Sequence, residues 1–227
     1  MTTKLRLLAA AIGGTLVLLS AATVRAQEIK IGLTGSIGMG KSTTAAMFAE
    51  QGIPVNDADA VVHDLYRGAA VKKIAAVFPD AVTEGVVDRQ KLAKNLAKNP
   101  AKFSVLEAIV HPLVRERERE FLQLQSRSGA DMVVLDIPLL LETGAESRVD
   151  VVVVVSCDPE TQRRRVLARP GMTAEKFEMI LSRQVPDVEK RARADFVIDT
   201  GKGMEMAQAQ VAEIIATLRN HRPAAKE

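Results

Sequence analysis

Apolar positions along the chain fall into two patterns. Mostly apolar runs at residues 29–33, 132–135 and 149–155, interrupted only by Lys30 and Asp150, are too short for helices and lack regular polar alternation, which predicts strands covered on both faces. Shorter runs predict two more strands, one after Ile53 that finishes on Asp57 and Asp59 and one over residues 193–198. Helical spacing lies between them. Residues 43–51 predict a helix ended by Gly52, Val61, Val62 and Leu65 begin another, and residues 204–218 predict a terminal helix. Strands alternating with helices five times over specify an α/β fold with an open, five-stranded parallel sheet and right-handed crossovers.

Residues 60–128 depart from that alternation. Helical periodicity continues through breaks at Gly68, Pro79, Asp80, Gly85, Asn99 and Pro100, which predicts a helical insertion whose last helix runs from Lys102 to about Ser126. Within it the charges of residues 115–120 alternate in sign at i,i+3 and i,i+4 spacing, the pattern of a solvated helix face. Pro112 removes a helical N–H and predicts a bend or restart beside His111, which is either projected toward a cleft or satisfied near the kink. A later helix is announced by Asp158, Pro159 and Glu160, an N-cap, an N1 proline and a first-turn acid. It carries Arg163, Arg164, Arg165 and Arg169 before Pro170 and Gly171, with Arg165 and Arg169 one turn apart.

Composition narrows the classes. With 227 residues, 47% hydrophobic and 26% charged, the chain has material for one large domain and is neither disordered nor a multi-span membrane protein. Aromatics make up 3%, so base-stacking platforms are poorly supplied. The net charge of +3 comes from Lys4, Arg6 and Arg25; beyond residue 26, 28 bases meet 28 acids and no nucleic-acid surface is implied. One cysteine, Cys157, excludes an internal disulfide and a zinc cluster. Residues 1–26, with Lys4 and Arg6 ahead of an apolar stretch, resemble a signal peptide. Residues 1–27 are thus a leader outside the fold, and residues 28–227 the domain.

The sharpest motif follows the first strand. Residues 35–42 spell G-x-x-x-x-G-K-S, which chance would place in roughly one chain of this length in a hundred, and the strand before it and helix after it are the context it needs. Gly35, Gly38 and Gly40, with Met39 among them, let the backbone turn its N–H groups toward a β-phosphate at a helix N-terminus. Lys41 supplies charge toward the β- and γ-phosphates, Ser42 offers an oxygen to Mg²⁺, and Thr43 continues the first turn. ATP and Mg²⁺ are the expected ligands.

Carboxylates at strand ends complete the candidate chemistry. Asp59 is a candidate general base for an acceptor hydroxyl and Asp57 a helix N-cap or outer-sphere magnesium partner; equally, both could be caps. Asp136 ends the strand of residues 132–136 and is the candidate second metal residue beside Ser42. The apolar stretch after it, with Leu139, is placed to line a pocket. For Arg165 and its neighbours, closure over a bound nucleotide and simple solvent exposure are comparable readings. Another small-molecule or nucleoside monophosphate kinase, or an exported non-catalytic nucleotide-binding module, would share most of these features. A GTPase would not, since N-K-x-D is absent.

Together the segments LTGSIGMGKST, VNDADAVVH, IVHPLV, LDIPLLLETG, ETQRRRVLARPGMT and RARADFVIDTG resemble the dephospho-CoA kinases. The resemblance covers residues 29–218. It implies a P-loop NTPase-type sheet with a substrate-binding insertion near residues 60–128 and a lid near 159–185. It also implies transfer of the ATP γ-phosphate to the ribose 3′-hydroxyl of dephospho-CoA. In that resemblance Lys41, Asp59 and Arg165 are catalytic, and His111, Leu139 and Arg169 meet the acceptor. Thr200 stands where the family often has asparagine. A cytoplasmic enzyme with a small-molecule partner, and no stable membrane association, is expected despite the leader.

Overall fold

The structure, a computed structural model, describes residues 28–221. The signal-like leader of residues 1–27 lies outside the described residues. Strands β1 (Ile29–Thr34), β2 (Val55–Asp57), β5 (Met132–Asp136), β6 (Val151–Ser156) and β7 (Phe196–Asp199) form one sheet in the order β2-β5-β1-β6-β7. All its pairings are parallel. The predicted five-stranded α/β sheet is therefore present. The valine-rich runs of β5 and β6 follow from coverage on both faces, since both strands are buried at every position.

Helices α1 (Lys41–Glu50) and α9 (Met204–Asn220) cover one face, packing Phe48, Val211 and Ile215 against Ile31, Leu33 and Val153. On the other face Leu135, Val152 and Val154 meet Leu140 and Leu141 of the loop after β5, with Phe121 and Leu122 of α5 (Lys102–Ser128). Each fully buried aliphatic or aromatic side chain contributes about 1.5–3 kcal/mol relative to exposure.

The insertion has a core of its own. Leu65, Ile74, Phe78, Leu92, Leu106 and Val110 cluster from α2 (Ala58–Leu65), α3 (Val71–Val77), α4 (Arg89–Lys98) and the first half of α5. The 27-residue α5 thus joins the two bodies, its first half in the insertion core and its second on the sheet. Two expectations change here. Pro112 does not restart the helix, which is continuous from Lys102 to Ser128. Pro112 and Ala108 both lie on the exposed face, so the carbonyl that loses its partner can meet water. The insertion is also not wholly helical, because β3 (Val82–Thr83) and β4 (Val86–Val87) form a small antiparallel hairpin turned at Glu84 and Gly85.

Downstream, α6 (Pro159–Leu167) and α7 (Ala174–Leu181) occupy the predicted lid, and α8 (Asp187–Ala192) leads to β7. The Asp158 carboxylate accepts the Thr161 N–H at 2.8 Å, as the N-cap reading requires.

Candidate active site

The phosphate loop leaves the C-terminal end of the central strand. A Cβ at Gly35 would lie 2.6 Å from the Val155 carbonyl oxygen, so only glycine permits that approach to β6. Gly38 has φ +80°, and a Cβ there would collide with Val166 of α6. Met39 is buried and Gly40, in the left-handed region, caps α1. Lys41 is partly buried, whereas Ser42 and Thr43 are exposed on the first helical turn, open to a ligand.

Three contacts outside the motif hold this loop. Gln162 of α6 donates through Nε2 to the Ile37 carbonyl at 2.8 Å, and Gln184 accepts the Ile37 N–H at 3.1 Å. The Thr200 hydroxyl donates to the Met39 carbonyl at 2.7 Å. Thr200 in turn receives the Arg165 guanidinium, Nη1 on its hydroxyl at 3.0 Å and Nη2 on its carbonyl at 2.9 Å. Arg165 therefore stands one residue from the phosphate loop. Arg163 pairs with Glu178 and Arg164 bonds Thr161, so those two arginines tie α6 to α7 and to its own first turn. Helix α6 ends at Leu167, earlier than the Pro170 stop expected, and Arg169 is exposed beyond it.

Sequence reasoning missed Gln162, Gln184 and the bracing role of Thr200. Gln162 shares a helix face with Val166 one turn on, but periodicity shows a face and not its partner.

Parallel register aligns the acids. Asp57 of β2 lies opposite Asp136 of β5, and Leu33 of β1 lies opposite it on the other side. Asp57 accepts the N–H groups of Asp59 and Ala60 at 2.8 and 3.0 Å, which makes it the cap of α2. Asp59 lines a neighbouring cleft. Asp136 is almost fully buried and ion-paired to Lys41. Burial pushes its pKa above the ordinary carboxylate value, and Asp57 and Asp59 push it the same way, while Lys41 opposes them.

That cleft, about 530 Å³, is lined by Asp59 together with His111, Leu139, Tyr66, Phe103 and Arg148. Its volume suits a small molecule. Leu139 and Phe103 remain 45% and 53% exposed, apolar surface left open for an occupant. The structure therefore brings Lys41, Asp59 and Asp136 together and sets His111 and Leu139 in the adjoining cleft. Arg169 does not line it.

Mg²⁺ is a hard cation that takes oxygen ligands and keeps several from phosphate or water. Among the described residues no group of three or more His, Cys, Asp or Glu forms a metal site. The Ser42 hydroxyl and the Asp136 carboxylate, with excess negative charge beside it, fit a metal shared with nucleotide phosphates.

Comparison with known proteins bears on this geometry. The dephospho-CoA kinase family model, CoaE, matches residues 29–205. Dephospho-CoA kinase of Agrobacterium fabrum is 64% identical over 190 residues, 84% of this chain and 98% of that protein. The Rhizobium etli enzyme is 62% identical over 191 residues, 84% of this chain and 94% of its own. Among solved structures, TT1252 from Thermus thermophilus superposes with a TM-score of 0.74 at 36% identity, covering 85% of this chain and 98% of that one. On these grounds the chain belongs to the dephospho-CoA kinase family and is an enzyme of that activity.

Proposed function

We propose that the enzyme works by in-line transfer of the ATP γ-phosphoryl group to the ribose 3′-hydroxyl of dephospho-CoA, with labour divided as follows. Backbone N–H groups of residues 35–43 hold the triphosphate, and Lys41 and Arg165 oppose the charge that spreads over the moving group. Asp59 accepts the hydroxyl proton as the oxygen bonds to phosphorus and the bond to ADP breaks. His111 and Leu139 contact the acceptor. Ser42 and Asp136 would hold Mg²⁺, which supplies neutralisation of the phosphate oxygens. Lys41, ion-paired to Asp136, would turn its ammonium toward the phosphates. Arg169 would reach a ligand only from the lid.

One observation carries this reading: Asp59 sits where the acceptor cleft meets the Lys41–Asp136 pair, so a single carboxylate adjoins both substrates' places. The cytoplasm, where ATP and the acceptor are made, is the proposed location. Among the described residues no helix is long and apolar enough to cross a membrane. A coupled ADP-release assay with dephospho-CoA, AMP and shikimate as acceptors tests the reading. Turnover is expected with the first alone, and preference for either other acceptor overturns it.

A further inference from the structure

The alternating charges on α5 do not all face water alike. Arg117–Glu120 and Arg119–Glu116 pair along the helix with more than half of each side chain exposed. Glu118 is 12% exposed and instead contacts Arg148, thirty residues later, in the 3₁₀ turn of Ala145–Arg148. Both line the acceptor cleft, as do Arg115 and His111. Positions 111, 115 and 118 form one stripe at helical spacing, so this row of the charge run faces the cleft.

The cleft lining is chemically mixed. Asp59 supplies a carboxylate, Phe103, Leu106 and Leu139 supply apolar wall, and the two arginines supply positive charge. An acceptor with a sugar hydroxyl, a diphosphate and a longer arm presents matching groups. The planar guanidinium fork fits phosphate oxygens two at a time, which an ammonium cannot do. Arg115 makes no hydrogen bond or ion pair with the described chain, and Arg148 gives Glu118 only its Nη2, leaving other donors available.

We propose that Arg115 and Arg148 form the subsite for the acceptor's diphosphate, and that Glu118 is a positioning residue that holds Arg148 toward the cleft before the acceptor arrives. A carboxylate beside an anion site opposes binding by charge. Its benefit is that it fixes a long side chain whose rotamer freedom would otherwise be lost on binding. The inference rests on the kinase reading above.

Steady-state kinetics with Arg115→Met, Arg148→Met, Glu118→Gln and the Glu118→Gln/Arg148→Met double variant test it. A lost charge-assisted contact predicts that each arginine variant raises the KM for dephospho-CoA by about 10- to 100-fold, with the KM for ATP within about twofold. Because the contact is made in ground and transition states alike, kcat falls by less than about threefold. Glu118→Gln raises the acceptor KM by a smaller factor and adds nothing in the Arg148→Met background, since it acts through that residue. Added KCl raises the wild-type acceptor KM more steeply than that of either arginine variant. Arg115 has no intrachain partner to lose, so its variant stays informative if another misfolds. An unchanged acceptor KM in Arg115→Met, an equal rise in the KM for ATP, or full additivity of Glu118→Gln with Arg148→Met overturns the subsite. Wild-type protein inactive on dephospho-CoA would instead overturn the reading beneath it.

Discussion

Asp136 carries a cost that its surroundings do not cancel. Its carboxylate is buried, two other acids lie close, and its pKa is raised despite the Lys41 ion pair. A folded-state pKa above the unfolded value means stability is lost as pH rises from the ordinary carboxylate range through the raised value. Over that range the Asp136 charge works against the folded state. Asp136→Asn is expected to raise the thermal midpoint at pH 7, measured in chelator, and to flatten the loss of stability with rising pH. Turnover is expected to fall by about tenfold or more, because Mg²⁺ would lose one of the two side chains proposed to hold it. A variant less stable than wild type at neutral pH would show that Lys41 depends on the carboxylate more than burial opposes it. Asp59→Asn separates differently. It removes proton acceptance alone and should lower kcat by about 10²- to 10⁴-fold with ATP affinity retained, as titration with a non-hydrolysable analogue would report. At this scale the sequence made the phosphate-loop residues legible, since their chemistry is bound to a local motif. It left Asp57 and Asp59 undivided, because both are plausible caps until hydrogen bonds show that Asp57 is the cap.

Elements rather than residues set the shape of the phosphate loop. Three separate segments hold it: Gln162 from α6, Gln184 from the turn after α7, and Thr200 from the end of β7. Two of these lie in residues 159–185, so the phosphate loop shares hydrogen bonds with that stretch. Gly38 is where they touch, with φ +80° and Val166 against the place of its absent side chain. Gly38→Ala is expected to cost about 1–3 kcal/mol of stability from backbone strain and crowding. It should also raise the KM for ATP by displacing Ile37 and its two glutamine contacts. Chemical unfolding and ATP saturation curves check the two effects, and a variant with normal ATP KM would show that the loop tolerates the shift. These contacts were not legible beforehand because they pair residues 125 and 147 positions apart. The helices themselves were legible, and so was the Asp158 cap, since a cap and a period are local. The β3–β4 hairpin was missed because its strands are two residues each, too short for a period to show.

For the whole molecule, the sheet followed from its apolar runs because parallel strands buried on both faces cannot alternate. The span of α5 followed from its period, but the absence of a restart at Pro112 did not, because Pro112 is a local breaker and the cores at the two ends of α5 are tertiary facts. The same distinction bears on where the folded enzyme begins. Ile29 is 4% exposed and its N–H donates to the Asp131 carbonyl at 3.0 Å, so the first strand is anchored at its first residue. The family match begins at that residue, and 190 aligned residues account for 98% of the Agrobacterium fabrum relative. Everything placed in the active site lies downstream. A chain starting at Glu28 is therefore expected to keep the kcat and both KM values of the full-length chain within about twofold, and to unfold at a similar temperature. Parallel kinetics and thermal melts of the two chains decide it. Loss of ATP turnover or of folding on truncation would make residues 1–27 part of the structure that supports β1, and the domain boundary would have to move to the N-terminus.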